Sequence, residues 1–134
     1  MVLILLLVLA VPQDAFGHSG GRTGSASSGC ACHGGGANQV TPSLSGFPAD
    51  GYVASSTYGL TIGGTGGPSG SGGGFNLDAD LGSFSNPGSN AQISNGEVTH
   101  SNANARTWTV DWTAPSSGSG NVTFDLTVNF VNGN

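Results

Sequence analysis

The sequence predicts an all-β chain folded as an antiparallel β-sandwich, and three observations carry this. Segments such as "NVTFDLTVNFV" and "RTWTVDWTAP" alternate apolar and polar residues one by one, the period of a strand with one buried face. Gly, Ser, Asn and Pro interrupt the alternation at spacings that suit short strands and tight turns. No segment repeats its apolar residues at helical spacing over three turns, and no internal repeat is present.

The chain opens on residues 1–12, an apolar N-terminal segment whose run from Val2 to Val11 is unbroken. It is shorter than the roughly 20 apolar residues that a membrane helix needs. One expectation is a signal peptide, with Ala15-Phe16-Gly17 supplying small residues before a cleavage at His18. The other is a strand kept in the mature protein. The lack of Lys or Arg ahead of the run speaks for the second. Residues 13–39 form a Gly/Ser-rich arm without periodicity, and this arm holds the motif "SGCACHGG".

Residues 40–134 are the predicted sandwich domain. "VTPSLSGFP" reads as a strand anchored by Val40, Leu44 and Phe47. "TYGLTIGG" puts Tyr58, Leu60 and Ile62 on one side, and "GGTGGPSGSGGG" reads as a flexible hairpin tip. "GFNLDADLGSF" turns Phe75, Leu77 and Ala79 inward and Asn76, Asp78 and Asp80 outward. Trp108, Val110 and Trp112 share a face, as do Val122, Phe124, Leu126, Val128 and Phe130. The expected core is Leu60, Ile62, Phe75, Leu77, Trp108, Val110, Trp112, Phe124, Leu126 and Val128.

Composition narrows the partners. Lys and Arg together number 2 against 7 Asp plus Glu in 134 residues, and the net charge is -5. Such a surface carries no nucleic-acid footprint and does not suit an anionic membrane. Charged residues make up 7%, where about 25% is ordinary for a soluble domain. A polar, uncharged, Gly-rich surface points to a secreted protein that assembles or carries glycans.

The order of motifs is similar to a known group. A "TG…C..CHG" arm precedes "Y.LTI", "GF.L.A..G.F", "VTHS", "W…WTAP" and "GNVTF". From about Gly20 to Asn134 this resembles the choice-of-anchor V and Reeler-like extracellular domains, with Val98-Thr99-His100-Ser101 and Trp112-Thr113-Ala114-Pro115 as the most specific pieces. The resemblance implies an Ig-like β-sandwich outside the cell and little about activity. This chain departs from the group in spacing its cysteines C-x-C-H rather than C-x-x-C-H. Members also commonly continue past "VNGN", so a sandwich ending at Asn134 is expected to lack an edge strand.

Cys30, Cys32 and His33 raise three chemistries. Haem c needs two residues between the thiols so that both reach the vinyl groups while the histidine binds iron; His18 or His100 would be the second axial ligand. A metal site would join Cys30, Cys32 and His33 with His18 or His100. A chain beginning at His18 would also offer copper its amine and imidazole together with His100. A Cys30–Cys32 disulfide is the expectation preferred here, because an exported chain meets an oxidising compartment. No cofactor is therefore expected, with haem c or a metal ion at the motif as the alternatives. His100 is expected to be half-buried and hydrogen-bonded beside the sheet, and the aspartates to be solvated. Asn121-Val122-Thr123 is a glycosylation acceptor pattern. No catalytic triad, carboxylate pair or phosphate loop is present, so an enzyme is not expected.

The leading functional expectation is a structural subunit of a secreted, pilus-like filament. Val2, Leu3, Ile4, Leu5, Leu6, Leu7, Val8 and Leu9 would be the subunit interface, filling the open groove of the next copy by donor-strand complementation. The partner is then the chain itself, with glycans attached and no membrane in the mature form. The alternatives are a secreted or surface-anchored binding module with a cleaved signal peptide, and a single-haem electron-transfer protein.

Overall fold

The structure, a computed structural model, describes residues 18–29 and 40–132. Eight strands follow in chain order: β1 (Val40–Ser45), β2 (Thr57–Gly66), β3 (Gly72–Ala79), β4 (Ser83–Ser85), β5 (Ala91–Ser94), β6 (Glu97–His100), β7 (Trp108–Thr113) and β8 (Phe124–Val131). They make two four-stranded sheets, ordered β1-β2-β7-β4 and β5-β6-β3-β8. Every pairing is antiparallel. The fold is the all-β sandwich that the alternation predicts.

Register explains the core. On one sheet Leu60 faces Val110 and Ile62 faces Trp108. On the other, Phe75 faces Val128 and Leu77 faces both Leu126 and Val98. Directly opposed apolar pairs are what hold an antiparallel pair together. Leu60, Ile62, Phe75, Leu77, Trp108, Val110, Trp112 and Val128 are buried as expected, joined by Val98, Ala114 and Phe130. Phe124 and Leu126 are only partly buried and pack against that cluster from the edge.

Two local expectations need correction. The Gly-rich stretch after Ile62 is not a hairpin tip. Strand β2 runs on to Gly66 between β1 and β7, and β3 starts at Gly72 in the other sheet. Each already has a partner on both sides, so residues 67–71 cross between the layers. Asn76, expected outward in solvent, does point away from the core but is 3% exposed. The arm covers it, for a reason given below.

A turn that the alternation does not reveal closes β5 onto β6. Asn95 and Gly96 both take positive φ, at 53° and 84°, and Ser94 pairs with Glu97. An Asn-Gly pair of this geometry matches the twist of the flanking strands.

Candidate functional site

Two places bring functional groups together. The first is an aromatic cleft at one end of the sandwich. Trp112 forms its floor from the middle of the sheet, because β7 sits between β2 and β4. The indole is 1% exposed, and its Nε1 donates to the carbonyl of Leu81 at 3.1 Å. Around it stand Tyr52 at 5.8 Å between ring centroids and Phe124 at 4.9 Å, both edge-on. Phe47 lies 4.9 Å from Phe124. Such tilted contacts are the favoured aromatic geometry. The Tyr52 hydroxyl donates to the carbonyl of Gly120, and the Tyr58 hydroxyl accepts from Val53 N–H at 2.7 Å. The cleft has a volume of ≈ 340 Å³ and is lined by Phe47, Pro48, Gly51, Tyr52, Trp112, Asn121, Val122 and Phe124. No lining residue is ionisable at neutral pH. Phe47 is 40% exposed, so it forms the rim rather than a core anchor. The acceptor asparagine, Asn121, is exposed on the same rim.

The second place is the outer face of the β5-β6-β3-β8 sheet, where the described part of the arm, residues 18–29, is docked. Its backbone is tied down by side chains of the sheet. Arg22 N–H donates to Thr99 Oγ1 at 3.1 Å and Ser25 N–H to Asn76 Oδ1 at 2.8 Å. Gly24 N–H donates to the Glu97 carboxylate, at 2.9 Å to Oε2. Thr127 Oγ1 reaches the carbonyls of Ser25 and Ala26. These bonds explain why polar residues on an outward face are buried: they replace water for an arm with few side chains of its own.

His100 stands at the edge of this face. Strand β6 pairs with β3 only at Asn76–Thr99 and Leu77–Val98, so β6 gives Phe75 no backbone partner in the ladder. Side chains finish the ladder. Thr99 Oγ1 donates to the Phe75 carbonyl at 2.8 Å, and Phe75 N–H donates to His100 Nδ1 at 3.1 Å. An accepting Nδ1 leaves the ring proton on Nε2, which points at the carbonyl of His18, 2.8 Å away. The ring rests on Gly74. A Cβ there would lie 2.6 Å from His100 Cε1 and 2.9 Å from each ring nitrogen.

The structure therefore brings His18 and His100 together. Cys30, Cys32 and His33 lie outside the described residues, and so do Val2 through Leu9. Among the described residues no group of three or more His, Cys, Asp or Glu could hold a metal ion. The aspartates serve the fold locally: Asp80 Oδ1 accepts from Thr123 N–H at 2.9 Å and Asp111 Oδ2 from Asn86 Nδ2 at 2.9 Å. The aromatic cleft was missed by sequence reasoning, because its rim comes from residues 47–52 and 121–124, far apart in the chain. Two aromatic residues flanking the Pro48–Gly51 turn, Phe47 and Tyr52, were the available signal.

Comparison with known proteins agrees with this architecture. The sequence profile of the Reeler domain matches residues 70–131. The crystal structure of the human F-spondin reeler domain (fragment 1) superposes with a TM-score of 0.54 at 21% identity, covering 66% of this chain and 75% of that one. Fragment 2 of the same human domain gives a TM-score of 0.51 at 26% identity, covering 71% and 79%. No curated protein matches the chain.

Proposed function

With a Reeler-like β-sandwich of extracellular type as the premise, we propose that this chain is a secreted binding module, that it is not an enzyme, and that the aromatic cleft takes an uncharged ligand such as a neutral glycan. The observation behind this is the lining of the cleft: four aromatic rings, one amide and no charge. Ligand sites are mostly apolar, with a few polar groups that fix orientation. Aromatic rings offer flat faces to the C–H faces of sugars, and Asn121 supplies donors and an acceptor at the rim. In this reading the apolar N-terminal run is a signal peptide. Cys30 and Cys32 are oxidised on export, which intact mass reads as the loss of two hydrogens.

The test is a titration of tryptophan fluorescence with soluble neutral oligosaccharides. Saturable change is expected, since Trp112 is the floor. Phe47→Ala and Tyr52→Ala should abolish it while leaving thermal unfolding cooperative. Saturation that survives both substitutions, or none with any neutral glycan, would sink the assignment.

A filament subunit is the second reading, and one observation favours it. Strand β8, eight residues long, pairs with β3 alone among the described residues, and β1 is likewise an edge. An unpaired edge accepts an added strand. Val2–Val11 of a neighbouring copy would supply it. Mass spectrometry of the mature chain decides between the two, because a donor strand must still be present there.

A further inference from the structure

We propose that the mature chain binds one Cu(II) ion between its N-terminal residue, His18, and His100. The proposal rests on the leader removal assumed above, not on the cleft. Hydrolysis of the Gly17–His18 bond frees an α-amine on His18. The carbonyl of that residue already lies 2.8 Å from His100 Nε2. By standard backbone dimensions the amine sits within about 3.6 Å of that oxygen. Rotation about the single His18 Cα–C bond swings the free amine to the side of that oxygen, facing His100, while the carbonyl stays on Gly21 N–H.

Three nitrogens then converge. The amine and Nδ1 of a terminal histidine close a six-membered chelate ring on one metal, and His100 Nε2 supplies the third. A nitrogen-rich tetragonal set is what Cu(II) prefers among the first-row ions, and copper tops their affinity order. The set holds two histidines and an amine, so it is compatible with the absence of larger ligand clusters among the described residues.

His100 has a partner for its second ring nitrogen in either state. Its Nδ1 lies 3.1 Å from Phe75 N and 3.2 Å from Phe75 O. Without metal, Nδ1 accepts from the N–H and Nε2–H donates to His18. With metal, Nε2 gives its lone pair to copper and the ring proton sits on Nδ1, where a small turn of the ring directs it to the Phe75 carbonyl and the Phe75 N–H gives up its acceptor. A metal-bound histidine almost always donates its other N–H in this way. That carbonyl already accepts from Thr99 but has a second lone pair. Gly74 leaves room for the ring to lie against the strand. The arm holds His18 in reach: Gly21 N–H donates to His18 O at 3.0 Å, and Gln92 and Thr99 bind Gly20 and Arg22.

The test uses secreted full-length protein. N-terminal sequencing should read His-Ser-Gly-Gly. Titration with Cu(II) alone should load one equivalent, with nitrogen hyperfine structure in the electron paramagnetic resonance spectrum. His100→Ala should weaken binding at least tenfold, since losing even an outer partner of a ligand costs about 10–100-fold. The chain has no lysine, so mild acetylation of the folded protein blocks the α-amine alone and should weaken binding as much. That second arm stands even if His100→Ala fails to fold. Equal affinity in untreated, acetylated and His100→Ala protein would overturn the site. So would a mature chain that begins elsewhere, an outcome that also removes the signal-peptide reading but leaves the glycan titration to stand by itself.

Discussion

Ser25 N–H donates to Oδ1 of Asn76 at 2.8 Å, joining residues 51 positions apart. The same amide donates from Nδ2 to the Val98 carbonyl at 3.3 Å. One buried side chain thus fastens the arm to β3 and β3 to β6. Asn76→Ala leaves both partners unmet at a position only 3% exposed, and should cost about 1–3 kcal/mol in urea unfolding. Asn76→Asp keeps the acceptor for Ser25 and should keep the arm's amides protected from exchange. Loss of less than about 0.5 kcal/mol for the alanine variant would place it in the range of ordinary surface changes and refute the fastening role.

The two tryptophans differ in one atom's fate. Trp112 Nε1 has the Leu81 carbonyl, while Trp108 Nε1 is buried without a hydrogen-bond partner among the described residues. Replacing either by Phe removes the same ring area. Trp112→Phe should therefore cost more than Trp108→Phe, by about 1 kcal/mol, the net worth of an ordinary hydrogen bond. Chemical denaturation of the two variants side by side checks the order. Trp112→Ala should cost about 3–5 kcal/mol through the cavity it leaves.

Gly74→Ala should push the His100 ring off the strand, since the added carbon would sit 2.6 Å from Cε1. Proton resonances of the imidazole should shift, and Phe75 N–H should lose exchange protection. An unchanged histidine spectrum would show that the ring does not rest there.

Arg106 ties the far end of the β3–β8 pair. Its Nε donates to Gly72 O at 3.0 Å and its Nη2 to Val131 O at 2.9 Å, with the guanidinium carbon 4.5 Å from the Phe130 ring centre. Lys cannot copy a fork that meets two carbonyls and stacks on a ring. Arg106→Lys should cost about 1–2 kcal/mol and speed amide exchange at the end of β8. A neutral effect would mean that solvent satisfies those carbonyls equally well.

The long strands β2, β3, β7 and β8 were legible because each carries three or more apolar residues at period two. Strands β4 and β5 were not, since "SFS" and "AQIS" are too short to show a period; for β5 and β6 the Asn95-Gly96 turn was the missed cue. Asn76 illustrates a deeper limit. Alternation tells which face a residue occupies, but not whether a distant segment covers that face. The sequence offers His18 and His100 as joint copper ligands, but their actual proximity is set by where the arm docks. For the cleft, residues 47–52 and 121–124 meet only through Trp112.

The clamped arginines have a consequence for survival outside the cell. Enzymes that cut after basic residues find two addresses in this chain, Arg22 and Arg106. Both lie in held backbone: Gly20, Arg22 and Gly24 are each bonded to the sheet, and Arg106 grips two strands. A trypsin-like protease must pull its substrate into an extended, unbonded strand. Digestion of the folded protein should therefore wait on local opening, and at a fixed protease concentration its rate should follow the free energy of that opening. The scarcity of cations works as armour against digestion.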